Sequence, residues 1–166
     1  MTRIKAARGF ALAAVVALAL AACARGPNDQ DALSGAAGPG AAAPGSAQEF
    51  AATIGDRVFF DTDSTELNAA AQTTLNRQAQ WLNQYSRYAF TIEGHADERG
   101  TREYNFALGA RRAEATKDYL ISKGVAAQRM KTISYGKERP VATCNDISCW
   151  SQNRRAVTVL AGAAGS

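Results

Sequence analysis

From residue 56 onward, apolar positions alternate between two kinds of segment. Short runs rich in aromatic and β-branched residues, bounded by polar or glycine-containing stretches, are typical of strands. Four such runs occur, at residues 56–61, 88–92, 130–135 and 155–160. A strand is therefore predicted in each of these four places.

Two longer segments between these runs have helical spacing. Asn68 is a suitable N-cap for a helix that continues to about residue 85, and a second helix is predicted from Thr101 to about residue 123. In this second helix Tyr104 and Leu108 belong to a stripe that we expect to face the core. Strands alternating with helices predict an α/β (α+β) two-layer sandwich, in which helices cover one face of a small mixed sheet.

The N-terminal part of the chain has a different pattern. Basic residues at positions 3, 5 and 8 precede an apolar run at residues 10–22, and no acidic residue occurs before Asp29. This is the pattern of a secretory signal peptide, and we assign it to residues 1–22. The run ends in Leu-Ala-Ala-Cys, which is typical of a bacterial lipoprotein signal, so Cys23 is predicted to carry an N-acyl group and an S-diacylglycerol. The alternative is an ordinary secretory signal followed by an unmodified cysteine.

Residues 23–50 are rich in Ala, Gly and Pro and have few large apolar side chains. Such a segment buries too little surface to offset its ordering entropy, so we interpret it as a flexible linker. As a coil it would span about 30 Å, and fully extended roughly 85 Å. Residues 51–166 then form the folded domain.

The basic character of the chain resides mainly in the signal peptide. Cleavage after residue 22 removes three of the 19 Lys and Arg residues and none of the 15 Asp and Glu residues, which leaves 16 basic against 15 acidic residues. A nearly neutral mature chain gives no reason to expect nucleic acid as a partner.

The candidate site lies in residues 93–112, where the second strand gives way to a polar loop and then to the second helix. Asp97 lies in the loop. The free N–H groups of the first helical turn, which begins at Thr101, can bind an anion.

Three residues of this helix are expected on the side of the loop. With 3.6 residues per turn, Leu108 and Arg112 lie one above the other and Asn105 lies close to the same face. A carboxylate at Asp97 and a guanidinium at Arg112 on two sides of one pocket suit a ligand with an ammonium and a carboxylate, such as an amino-acid head group. The alternative is an internal Asp97–Arg112 salt bridge that only fixes the loop to the helix.

Several blocks of sequence resemble the OmpA-like peptidoglycan-binding domains, and most of all the peptidoglycan-associated lipoproteins within that family. The main block is GHADERGTREYN at residues 94–105, followed by LGARRA at 108–113. VFFDTDS, ISYGKERP and SQNRRAV also match, in the same order along the chain. The resemblance implies that Asp97 and Arg112 hold the amino and carboxylate groups of meso-diaminopimelate in the peptidoglycan stem peptide.

The resemblance also implies further site residues and partners. Asn105, Leu108, Asp61 and Thr101 are expected to complete the diaminopimelate site, and Arg154 either to form its wall or to have a structural role. The chain would be anchored in the outer membrane with its domain in the periplasm. It would act with TolB and TolA in the Tol-Pal system during constriction and cell division. The alternative is a wall-binding lipoprotein of the same family without Tol partners.

Cys144 and Cys149 raise the question of a metal site or a disulfide. The chain has a single histidine, so a zinc site would have to be completed by carboxylates, and in an exported protein we expect a disulfide. No cofactor is expected.

His95 beside Asp97 also allows an enzyme, in which His95 serves as a base or metal ligand of a peptidoglycan hydrolase. The sequence has neither a second histidine nor an H-E-x-x-H motif, and a hydrogen-bonded loop histidine is the simpler interpretation. We therefore expect binding without catalysis. Replacing Asp97 or Arg112 by alanine is expected to abolish most binding and to leave the fold intact.

Overall fold

The computed structural model describes residues 42–162, in which four strands form one mixed sheet. The strands are β1 (Arg57–Phe59), β2 (Phe90–His95), β3 (Met130–Gly136) and β4 (Arg155–Leu160). Their order is β1-β4-β2-β3, so the C-terminal strand lies inside the sheet. It pairs antiparallel with β1 and β2, whereas β2 and β3 are parallel. The predicted fold class is confirmed.

Three α-helices accompany the sheet: α1 (Ala69–Gln84), α2 (Arg102–Ser122) and α3 (Ile147–Asn153). Helix α1 begins after its predicted N-cap, because the Asn68 side chain accepts a hydrogen bond from the N–H of Ala71. Helix α2 begins one residue after the predicted start at Thr101, whose side chain is the N-cap and accepts a hydrogen bond from the N–H of Tyr104. Helix α2 provides the crossover between the parallel strands β2 and β3, as parallel pairing requires. Among the described residues, none of the helices has the length and apolar character needed to span a membrane.

The core lies between the sheet and the two long helices. Apolar side chains from α1, α2 and the inward-facing positions of the strands are nearly inaccessible to solvent. They include Val58, Leu75, Leu82, Phe90, Ile92, Ala113, Leu120, Ala156 and Leu160. This packing fixes α2 across the carboxyl end of β2, where the candidate site lies.

Strand β2 continues three residues beyond the predicted end at residue 92. Its later residues Glu93, Gly94 and His95 have no strand-forming preference as a group, but all three pair with β3, and Glu93 and Gly94 also pair with β4. This pairing satisfies backbone groups that would otherwise be buried without partners. His95 is therefore the last residue of the strand instead of a loop residue.

The end of the segment interpreted as a linker packs on the domain. A helical turn at Ala47–Glu49 continues into a π-helical segment, Phe50–Gly55. Phe50 is buried, with its ring centroid 4.9 Å from that of Trp81. The Glu49 carboxylate accepts hydrogen bonds from Trp81 Nε1 and from the Gly45 N–H, each at 2.7 Å. These contacts hold residues 45–50 against helix α1.

Other assignments lie outside the described residues. These are the signal peptide at 1–22, the acylated Cys23 and the linker as far as residue 41.

The structure contains a disulfide between Cys144 and Cys149. Cys149 lies in α3, a helix that the sequence pattern did not indicate.

Candidate functional site

A cleft of about 300 Å³ opens where three segments meet: the loop between β1 and α1, the loop after β2, and the first turns of α2. Both charged residues singled out from the sequence border it. Its lining residues are Thr62, Asp63, Asp97, Arg99, Gly100, Tyr104, Asn105, Leu108 and Arg112.

Two glycines bring α2 against the end of β2 and so shape this cleft. A Cβ atom on Gly94 would lie 1.8 Å from the carbonyl oxygen of Gly109, and a Cβ on Gly109 would meet the Ser134 hydroxyl at 2.5 Å. Only glycine permits so close an approach of helix and strand. The contact places Leu108 and Arg112 beside the loop that carries Asp97.

Asp97 is almost fully buried, with 7% of its surface exposed. Its carboxylate accepts hydrogen bonds from the Arg99 side chain, with Nη2 at 2.7 Å, and from Arg154 Nη1 at 3.3 Å. Burial alone would raise the pKa of Asp97, but these hydrogen bonds outweigh it and hold the pKa below its ordinary value. The group is therefore a carboxylate at neutral pH.

Arg112 is fully buried, and its guanidinium is held by backbone carbonyls. Nη1 donates to His95 at 2.8 Å, Nε to Ser64 at 2.9 Å and Nη2 to Asp61 at 3.2 Å. Burial, and then the positive charge of Arg154, lower its pKa to about 10, so Arg112 remains a cation at neutral pH. Arg112 thus ties the β1–α1 loop to the end of β2, and the expectation that Arg112→Ala would leave the fold intact is not supported by these contacts.

Asp97 and Arg112 border the same cleft, but they do not pair with each other. Within residues 42–162 the salt bridges of Asp97 go to Arg99 and Arg154 instead. The alternative of an internal Asp97–Arg112 salt bridge is therefore not what the structure contains.

The four other site residues have different positions. Leu108 and Asn105 line the cleft, and the Asn105 amide donates to the carbonyls of Arg99 at 2.6 Å and Thr101 at 3.0 Å, which fixes the loop. Thr101 lies outside the lining, and its hydroxyl caps α2 by accepting a hydrogen bond from the N–H of Tyr104. The Asp61 side chain is also outside the lining and solvent-exposed, and Asp61 contributes its carbonyl to Arg112.

Arg154 lies behind Asp97 and not in the lining of the cleft. It is 5% exposed, and its Nε donates to the Phe60 carbonyl at 3.0 Å. Because Nη1 contacts the Asp97 carboxylate, Arg154 orients that carboxylate from the interior. Of the two roles weighed from the sequence, the contacts of Arg154 therefore fit the structural one and not the wall of the cleft.

Tyr104, Asp63 and Arg99 are lining residues that the sequence did not identify as such. Tyr104 was expected in the core, but it is 45% exposed and its hydroxyl donates to the Asp63 carboxylate. Asp63 has a φ of 55°, in the left-handed region that aspartate tolerates in turns. The position of Tyr104 could have been predicted from the sequence. Tyr104 lies one helical turn before Leu108, so a cleft lined by Leu108 is also lined by Tyr104.

His95 is not part of the cleft lining. It is 2% exposed, neither ring nitrogen has a hydrogen-bond partner among residues 42–162, and its ring stacks on Tyr135 with centroids 5.5 Å apart. Burial, and then the positive charges of Arg155 and its neighbours, lower its pKa to about 4. The Glu93 carboxylate is 3.7 Å from Nε2, too far for a hydrogen bond that would reverse this effect. The expectation of a hydrogen-bonded loop histidine was wrong.

The cleft can hold charges but has few means of moving protons. Asp97 and Arg112 keep their charges near neutral pH, and the neutral His95 imidazole is sealed from solvent. In the part of the chain that the structure describes, no group of three or more His, Cys, Asp or Glu residues could hold a metal ion. The geometry suits a ligand with one cationic and one anionic group.

Comparisons with known proteins identify the family of the chain. Residues 59–154 match the model of the OmpA family. A peptidoglycan-associated lipoprotein of Mesorhizobium japonicum is 69% identical over 154 residues, which are 92% of this chain and 91% of that protein. A protein of the same name from Brucella melitensis is 60% identical over 157 residues, covering 93% and 92% of the two chains.

The chain is also similar in fold to solved structures. The crystal structure of the peptidoglycan-associated lipoprotein from Burkholderia pseudomallei is 40% identical, with a TM-score of 0.64 over 68% of this chain and 98% of that one. The C-terminal domain of Helicobacter pylori MotB has a TM-score of 0.60 over 66% and 86% of the chains, at 22% identity, and shares the fold.

Proposed function

The chain belongs to the OmpA family, and from this premise we propose that it is an envelope lipoprotein that binds peptidoglycan without altering it chemically. The names of its relatives support this proposal. The observation that carries this proposal is that Asp97 and Arg112, which have opposite charges, border one cleft and form no salt bridge with each other.

The ligand is the free amino-acid head group of meso-diaminopimelate in the stem peptide. Its ammonium binds the Asp97 carboxylate. Its carboxylate binds Arg112, which has five N–H donors and uses three of them for backbone carbonyls. Leu108 contacts the methylene chain of the ligand, and Asn105 keeps the loop in place. Asp61 and Thr101 support the site through a carbonyl and a helix cap.

The same geometry favours binding over hydrolysis. A general base works best when its pKa lies near the working pH and when it reaches the substrate. His95, the residue on which a hydrolase would depend, is buried away from the cleft with a pKa of about 4.

The chain is anchored by acyl chains on Cys23 and lies in the outer membrane, with its domain in the periplasm. Because one acyl chain gives only weak, reversible anchoring, the predicted acylation on both sulfur and amine makes the attachment stable. With one end in lipid and the other on the wall, the protein tethers the two layers. As a member of the Tol-Pal system, with TolB and TolA as partners, it supports envelope integrity and constriction at division.

Co-sedimentation with purified peptidoglycan sacculi tests the binding function. Wild-type domain should pellet with sacculi, and Asp97→Asn should weaken binding by about 10- to 100-fold, because a neutral amide replaces a charge-assisted partner of the ligand ammonium. Asp118→Asn, which removes an exposed acid on the same helix as Arg112, is the matched control and should bind like wild type. Equal binding by all three would refute the site, and release of soluble fragments would indicate a hydrolase.

Affinity purification of the full-length chain from envelopes tests the Tol partners. TolB is expected to co-purify. Its absence, with wall binding retained, would favour a family member without Tol partners.

A further inference from the structure

The Asp97 carboxylate has no free acceptor site in this structure. An ionised carboxylate offers about four lone-pair directions. Oδ1 accepts from the backbone N–H and from Nε of Arg99, both at 3.2 Å. Oδ2 accepts from Arg99 Nη2 at 2.7 Å and from Arg154 Nη1 at 3.3 Å. A ligand ammonium can therefore bind Asp97 only if one of these donors leaves.

The donors differ in how readily they can move. Arg154 is buried and also bound to the Phe60 carbonyl, and the backbone N–H of Arg99 belongs to a loop held by Asn105. The Arg99 side chain, in contrast, is 42% exposed and lines the cleft. It supplies two of the four hydrogen bonds, through Nε and Nη2, and it can leave without disturbing the fold.

The Arg99 side chain also has a second contact beside the cleft, which does not involve Asp97. Its guanidinium lies over the Trp150 ring, 4.2 Å from the centroid, and Trp150 Nε1 is fixed by a hydrogen bond to Glu98. A cation can rest on this aromatic face without a carboxylate. Release from Asp97 therefore leaves the guanidinium with a favourable contact.

We infer that Arg99 is a built-in competitor that occupies the place of the ligand's ammonium on Asp97 and moves away when the ligand binds. This inference rests on the proposed function. In the empty cleft Arg99 keeps Asp97 ionised and correctly oriented. This competition makes Arg99 a specificity-determining residue, because a ligand must supply its own cation to the Asp97 oxygens Oδ1 and Oδ2 in order to bind.

Calorimetric titration with the tripeptide L-alanyl-γ-D-glutamyl-meso-diaminopimelate tests the inference. Arg99→Ala should bind the tripeptide about two- to fivefold more tightly than wild type, since the lost competitor is an exposed ion pair. The matched control is Arg102→Ala, which removes the same charge from a side chain that is 73% exposed and pairs with Glu138. Its affinity should stay close to the wild-type value. Unchanged or weaker binding by Arg99→Ala would overturn the inference.

A second measurement separates competition from mere support of the loop. The Nε–Hε signal of Arg99 in an NMR spectrum, identified by its loss in Arg99→Ala, should shift when wild type is saturated with tripeptide. An unmoved signal would contradict displacement. If wild type binds neither tripeptide nor sacculi, the proposed function itself fails. If wild type binds both and Arg99→Ala gains nothing, only the role of Arg99 fails.

Discussion

Lowering the pH from 7 to 5 should destabilise the folded domain through one residue, His95. Its imidazole is 2% exposed, and within the described part of the chain neither nitrogen has a hydrogen-bond partner. Burial is the largest cause of its low pKa, and the guanidinium groups of Arg155, Arg139 and Arg57 add to it, so that the folded protein takes up this proton only near pH 4.

The size of the effect follows from proton linkage. In the unfolded chain the histidine has a pKa of about 6.5, so between pH 6.5 and 4 the unfolded state binds more protons than the folded state. The free energy of unfolding is therefore unaffected above this range and falls as the pH falls through it. With 1.36 kcal/mol for each pKa unit, the loss should be about 2 kcal/mol at pH 5 and about 3 kcal/mol below pH 4.

Urea denaturation at pH 7, 6 and 5 measures this loss, with untagged protein because His95 is the only histidine of the chain. His95→Leu is the control, since it removes the titrating group without removing a hydrogen bond. Its stability should change little over the same range. The lowered pKa of Asp97 does not interfere, because the stability from that group is lost only below its ordinary value of 3.8. Equal pH dependence of wild type and His95→Leu would refute the reasoning.

Three further substitutions test the packing and the anchor. Arg112→Ala should lower the free energy of unfolding by about 3–5 kcal/mol in urea denaturation. The substitution leaves three carbonyl groups without their donor, and one of them, at His95, is buried. A loss below about 1 kcal/mol would contradict this structural role of Arg112. Gly94→Ala should lower the free energy of unfolding by about 3 kcal/mol in the same assay, since its Cβ would lie 1.8 Å from the Gly109 oxygen. If the variant were as stable as wild type, α2 would be shown to shift freely. Cys23→Ser should remain folded and appear in the soluble periplasmic fraction, whereas continued membrane association would exclude acylation as the anchor.

Local signals in the sequence predicted much of the fold. Three such signals are the N-cap Asn68, the change to helical spacing at Thr101 and the β-branched run at β4, because capping and periodicity are local properties. Helix α3 and the helical segment at Ala47–Glu49 were missed. Both are short and depend on contacts with distant residues: Glu49 contacts Trp81, and Trp150 of α3 contacts Glu98.

The site was predicted less completely, for a related reason. Asp97 and Arg112 could be placed on one cleft because a single loop and helix carry both. Arg154 contacts Asp97 from 57 positions away, and no local pattern reports such a pairing. Likewise, the burial of Arg112 among backbone carbonyls depends on the β1–α1 loop, which periodicity does not position.

The most direct test of the account compares two stem tripeptides that differ only in the third residue, meso-diaminopimelate or L-lysine. Lysine keeps the ammonium for Asp97 but lacks the carboxylate for Arg112. Titration calorimetry with wild-type domain should show binding of the diaminopimelate peptide and at least about tenfold weaker binding of the lysine peptide, since a charge-assisted pair is lost. Equal affinity for the two peptides would contradict the claim that Asp97 and Arg112 together recognise a zwitterion.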